Sequence, residues 1–172
     1  IQRFFSAHTG INAQKMRNGN LDEKQWDHIV ESLPRLDKLN LHIDDTPRLS
    51  LSQLRAKCKR LQRKQGLDMI VIDYLQLMGT PGFKPSERVQ ALSELTRSLK
   101  ELAKEFNVPV IVAAQFNREL EKRSDKRPGM SDFRESGSVE ADGDIALGLF
   151  ADDVYNPKSE KPNQLEIIFL KH

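Results

Sequence analysis

The sequence predicts an α/β fold: a mostly parallel sheet flanked by helices, with antiparallel strands added at the C-terminal end. Two apolar runs and the helix between them carry that expectation. In the first, Met69, Ile70, Val71 and Ile72 run straight into one acid, Asp73. The second, residues 108–114 (VPVIVAA), finishes at the polar Gln115. Continuous apolar runs of this length read as strands buried on both faces. Between them Val89, Leu92, Leu95, Leu99, Leu102 and Phe106 recur at steps of three and four. That stripe predicts a long amphipathic helix over 85–106, opened by Pro85-Ser86-Glu87 and ended by Asn107.

The remaining elements follow in order. Ile1, Phe4, Phe5 and His8 have helical spacing, with Gly10 as a stop, and a short basic helix over 12–17 closes at Asn18-Gly19. Residues 21–33 predict a helix capped by Asp22, with Trp26, Ile29, Val30 and Leu33 as its stripe and Pro34 breaking or bending it. Residues 39–43 read as a short strand ending in Asp44-Asp45. Thr46-Pro47 turns the chain, and Ser50 caps a helix whose apolar face holds Leu51, Leu54, Cys58 and Leu61. Strand and helix thus alternate from 41 to 114, the pattern of a parallel sheet with right-handed crossovers. The loop 79–82 (GTPG) forbids regular structure. Residues 116–138 lose all periodicity and read as disordered surface or as a binding loop. Strands at 145–150 and 164–170, joined by a turn-rich connector, predict the antiparallel addition.

Composition sets the class. The 172 residues fit one domain, 38% hydrophobic and 30% charged, as in a soluble protein. A net charge of +2 is too small to argue for nucleic acid by itself. The six cations between Arg55 and Lys64 read more readily as the wet face of a helix than as a nucleic-acid patch. One cysteine excludes a disulfide framework and a zinc cluster and fits a reducing cytoplasm. No apolar run approaches the ~20 residues needed to span a bilayer, so no membrane partner is expected. The chain opens inside an apolar-periodic segment without an initiator methionine and closes in mid-strand, which reads as a fragment of a longer protein.

Asp73 and Gln115 end neighbouring strands at the same edge, where open α/β sheets bind ligands. Alone, Asp73 is as readily a solvated strand terminator as a ligand; the coincidence with Gln115 favours function. An acid and an amide so placed suit a nucleoside triphosphate site. The acid holds Mg²⁺ through water, and the amide senses the terminal phosphate. The phosphate loop GxxxxGK[ST] does not occur in these residues. The four histidines lie in different elements without metal-ligand spacing, and no nucleophile elbow occurs.

At this point the motifs match a family. IVIDYLQLM, VPVIVAAQFNRELEKR, KRPGMSDFRESGSVEADGD and the terminal strand reaching LKH resemble the C-terminal motor domain of DnaB-type replicative DNA helicases, over essentially the whole chain. The resemblance implies a RecA-like P-loop NTPase core, here a single truncated domain over 1–172. It implies ATP as fuel with Mg²⁺, 5′-to-3′ unwinding, a homohexamer in the full-length protein, and single-stranded DNA, primase and a helicase loader as partners. It implies a cytoplasmic setting, bacterial or phage- or plasmid-encoded. It makes Asp73 the Walker B acid and Gln115 the residue linking nucleotide state to a DNA loop. Arg134, Glu135 and Gly137 fall where the family's channel loop grips the DNA backbone, and Lys171 matches a lysine reaching the neighbouring subunit's ATP. By the resemblance, the arginine of the family's terminal K-x-R pair would follow His172, and the phosphate loop and water-polarising glutamate would be expected before Ile1. Ala151 stands where the family often has arginine. The fragment alone is expected to be inactive. The alternative is a non-catalytic RecA-like DNA-binding or assembly module of phage or plasmid origin.

Overall fold

The computed structural model describes residues 2–80 and 82–172; the side chains of 2, 3, 36, 37, 85, 88 and 134–139 lie outside that description. The chain divides into two compact units, Ile1–Asp45 and Thr46–His172.

The first unit is helical: α1 (Gln2–Thr9), α2 (Ala13–Asn18) and α3 (Glu23–Asp37). Asn12 caps α2 by accepting from the Gln14 N–H, and Gly19 closes it in the left-handed conformation. Pro34 neither ends nor marks the end of α3, which runs on to Asp37. Proline costs the bond its N–H would give the Val30 carbonyl. Val30 itself is exposed. The strand expected at 39–43 does not form. Its apolar alternation is present, but a strand needs a neighbour for its N–H and C=O groups. Among the described residues none pairs with it, and Ile43 is 71% exposed.

The second unit holds the sheet strands. Helix α4 (Leu51–Gln65) begins at Ser50, whose Oγ accepts from the Gln53 N–H while Gln53 Oε1 accepts from the Ser50 N–H at 2.9 Å. This reciprocal cap stabilises a helix by about 1 kcal/mol. Strand β1 (Ile70–Ile72) leads through a 3₁₀ turn at Leu75–Leu77 to α5 (Arg88–Phe106) and then β2 (Val110–Val112). The stripe of α5 is the core: Leu92, Leu95, Leu99, Leu102 and Phe106 pack with Cys58, Ile70, Leu75 and Val108. Asn107 terminates α5 in the left-handed conformation.

The strands are not buried on both faces. Ile70 and Ile72 face the core, whereas Val71 is 64% and Ile111 52% exposed. Among the described residues no element covers that second face. Cations of α4 lie mostly in water, with Arg55 paired to Glu105 at 2.8 Å.

The segment 116–138 is not irregular throughout. It holds 3₁₀ turns at Arg118–Lys122 and Met130–Ser136 and passes into α6 (Gly137–Asp142). Strand β3 (Ala146–Phe150), the short α7 (Asp152–Tyr155) and β4 (Glu166–Lys171) complete the chain. β1 and β2 pair parallel, β3 and β4 antiparallel, as two separate pairs. Ala146, Gly148 and Phe150 are buried, while Leu147, Leu149, Ile167 and Phe169 stay exposed. Among the described residues no helix is long and apolar enough to cross a membrane.

Candidate functional site

The register of β1 and β2, Ile70 with Val110 and Ile72 with Val112, sends both strands out at one edge. The ladder continues past the strands: the Ala113 N–H donates to the Ile72 carbonyl and the Leu75 N–H to the Ala113 carbonyl, each at 2.9 Å. Asp73 therefore emerges directly beyond the last paired residue, with a cis peptide to Tyr74. Both Asp73 and Gln115 are exposed.

Gln76 joins the two exits. Its Nε2 donates to the Gln115 carbonyl at 3.3 Å, and its Oε1 accepts from the Gln115 N–H at 3.4 Å. Sequence patterning assigns no role to Gln76; its only signal is a polar residue three positions past Asp73, after an apolar run. A cleft of about 690 Å³ opens beside it, lined by Arg48, Ser50, Gln53, Gln76 and Thr80 among others. Gly79 forms part of its wall, its N–H donating to the Leu49 carbonyl at 3.0 Å. A Cβ at Gly79 would fall on the Arg48 carbonyl oxygen, so only glycine allows this approach.

Beyond Gln115 the chain doubles back. The Asn117 N–H donates to the Asp132 carbonyl at 3.1 Å, and the rings of Phe116 and Phe133 meet with centroids 4.6 Å apart. Asp132 is buried and well satisfied. Its carboxylate accepts from the Gly129 N–H at 2.7 Å and from Arg123 at 2.9 Å. Arg127 grips Glu166 of β4 through two nitrogens, at 2.9 and 3.0 Å, and lies over the Phe150 ring at 4.7 Å. The Arg127 hydrogen bond holds the Glu166 carboxyl below its ordinary range.

Arg134, Glu135 and Gly137 lie among the residues whose side chains are outside the described set; their backbone is the end of the 3₁₀ turn and the start of α6. The far end of α6 is anchored. Thr96 of α5 donates to Asp142 at 2.6 Å, and Lys100 pairs with Asp144, whose carboxyl that hydrogen bond and charge lower. Lys171 Nζ donates to the Glu140 carbonyl at 2.8 Å. A cation is well placed at the carbonyl end of a helix. The described bonds of Lys171 thus lie at α6.

Asp73 offers an exposed carboxylate, a donor of the kind that hydrated divalent metals use. Among the described residues no three acidic, His or Cys side chains gather around a point. A single exposed carboxylate suits Mg²⁺, which keeps most of its waters and leans on substrate phosphates rather than on a protein cage.

The DnaB-like helicase C terminal domain family matches residues 1–172. The chain is 48% identical over 171 residues to the replicative DNA helicase DnaB of Geobacillus stearothermophilus, covering 99% of this chain and 38% of that protein. It is 46% identical to the replicative DNA helicase DnaC of Bacillus subtilis (strain 168), over the same shares of each chain. It therefore spans well under half the length of these curated relatives. Among solved structures, one ATPase domain superposes with a TM-score of 0.91 at 35% identity, over 99% of this chain and 61% of that one. A DnaB-like replicative helicase studied with its primase interactions gives 0.92 at 35% identity, over 99% and 42%. These neighbours, with the parallel and antiparallel pairs, make the fold a RecA-like α/β fold. The chain belongs to the DnaB-like helicase C-terminal domain family.

Proposed function

We propose that residues 1–172 form most of a single RecA-like motor domain in a replicative DNA helicase. In its parent protein this domain uses ATP to travel 5′-to-3′ along single-stranded DNA and to unwind the duplex at the replication fork. One observation carries the reading. The parallel register of β1 and β2 delivers Asp73 and Gln115 to one sheet edge, in a chain 48% identical to a replicative helicase.

Asp73 would hold Mg²⁺ through water, with nothing else among the described residues competing for its carboxylate. Mg²⁺ held there would supply positive charge to the phosphates of ATP. Gln115 reads the presence of that phosphate and passes the difference into the segment that follows it. Arg134 pairs with a DNA phosphate, Gly137 lets backbone N–H groups approach the strand, and Glu135 contributes its own N–H. Such contacts are blind to base sequence, as a translocating motor requires. Lys171 serves a neighbouring subunit's nucleotide in a homohexamer.

Single-stranded DNA is the track. Primase is the expected partner, since a structural neighbour at 35% identity was solved for its interactions with primase; a loader is expected with it. The setting is the cytoplasm of a bacterium, or of one carrying the phage or plasmid that encodes the protein. Forked duplexes with a single 5′ or a single 3′ tail test this in the full-length parent. ATP-dependent unwinding from the 5′ tail is expected; absence of ATP hydrolysis on single-stranded DNA would falsify the reading.

A further inference from the structure

We propose that the Phe116–Phe133 contact is the mechanical link that carries nucleotide state from Gln115 to the DNA-gripping segment that starts at Arg134. The inference rests on the motor reading above and names the positioning residues within it. Phe116 is covalently next to Gln115, and Phe133 is covalently next to Arg134. Their rings meet with centroids 4.6 Å apart and planes inclined at 51°. The next residues inward are joined as well, Asn117 N–H to Asp132 carbonyl at 3.1 Å. The path between the two sites is therefore one peptide bond, one ring contact and one further peptide bond.

The alternative route along the chain is stopped by its own anchors. Asn117 caps the 3₁₀ turn Arg118–Lys122, Leu120 is buried, and Asp132 is held by Gly129 and Arg123. Arg127 fastens the middle of the segment to β4. Residues 118–131 are thus held by bonds of their own, and the shortest connection from Gln115 to Arg134 runs across the ring pair and the Asn117–Asp132 bond beside it. Phe133 is buried and Phe116 half-buried, so the contact is largely withdrawn from water. Close-packed contacts transmit small shifts rather than absorbing them. Gln76 bonds both backbone polar groups of Gln115, which ties that position to the exit of β1.

The test uses the full-length parent and two readouts. One is stimulation of ATP hydrolysis by single-stranded DNA; the other is the ratio of DNA Kd with ADP to that with a non-hydrolysable ATP analogue. Phe116→Ala and Phe133→Ala should keep DNA-free hydrolysis and lose roughly 5-fold or more in both readouts, the lower range of coupling between sites. The double variant should be no worse than either single one, as expected for one shared contact. Phe116→Leu should restore most of the coupling. If the alanine variants fail to assemble, Arg123→Gln loosens the Asp132 anchor from the surface and should give an intermediate loss. Full stimulation and an unchanged Kd ratio in Phe116→Ala, or in Arg123→Gln when that variant decides, overturn the inference alone. A wild-type parent without DNA-stimulated hydrolysis overturns the motor reading itself, before any variant is compared.

Discussion

Gln76 and Gln115 are joined by a two-way hydrogen bond, side-chain carboxamide to backbone amide, at 3.3 and 3.4 Å. The bond spans the exits of β1 and β2, so it fixes the spacing of the edge from which Asp73 emerges. Gln76→Ala removes both halves and should cost roughly 1 kcal/mol, modest because the site is wet and the bonds are long. Gln76→Met keeps the side chain's length but not its hydrogen bonds. It should lose the same amount if the bonds matter and little if packing does. Urea denaturation of the purified chain separates the two outcomes.

Asp73 is exposed and makes no hydrogen bond or ion pair among the described residues. Its removal should therefore leave stability within about 0.5 kcal/mol of wild type. Its effect on chemistry should be large. In the parent protein, Asp73→Asn should slow ATP hydrolysis by roughly 10- to 100-fold and raise the Mg²⁺ concentration needed, as for a lost outer partner of a metal. Steady-state hydrolysis that is unchanged across a Mg²⁺ titration would remove Asp73 from the site.

What is legible in the sequence follows from local rules. The α5 stripe at Leu92, Leu95, Leu99 and Leu102 is a helical period, and it forms the core. Asp73 and Gln115 stand out because each ends an apolar run, and the parallel pairing places both at one edge. The strand expected at 39–43 is absent because alternation states only which residues are apolar, whereas a strand also needs a partner backbone. Pro34 does not end α3, because one missing N–H bond costs a helix stability without forbidding its continuation. Gln76, Phe116 and Phe133 are illegible for a different reason. Their roles are contacts across 17 residues or more, and no local period encodes such a pairing.

Arg134 is expected to meet DNA through phosphate alone. Arg134→Ala in the parent should weaken binding equally on every single-stranded sequence. It should also flatten the dependence of log K on log salt by about 0.7, the share of one phosphate on a single strand. Titrations of two unrelated oligonucleotides at several salt concentrations check both features. An unchanged slope would sink the phosphate assignment.

Gly148 is set by close approach rather than by backbone angle. A Cβ there would lie 2.6 Å from Pro128 Cγ and 3.3 Å from Leu170 Cδ1. Gly148→Ala should destabilise the chain by about 1–3 kcal/mol through overpacking against Pro128. Pro128→Ala in the same chain should recover part of that loss, since the two positions touch and their effects are not additive. Thermal melts of both singles and the double decide it; equal, additive losses would exclude the clash.

The Arg127–Glu166 pair predicts an acid limb in stability. The Glu166 carboxyl lies below its ordinary 4.5 because Arg127 hydrogen-bonds its charged form, with Lys161 adding charge at 3.6 Å. A carboxyl whose pKa is lower folded than unfolded stabilises the fold above its unfolded value. That contribution fades as pH falls through the folded value. Wild type should thus melt above Glu166→Gln at pH 6, and the gap should shrink from about pH 4.5 downward. The gap will be small, because the pair lies near the surface, where salt and water screen it. Asp144 beside Lys100 is lowered in the same direction. Glu166→Gln should therefore still lose stability in acid through Asp144, so the informative quantity is the difference between the two melting curves. A difference that stays constant from pH 6 to pH 3 would show that Glu166 acts through packing and not through its charge.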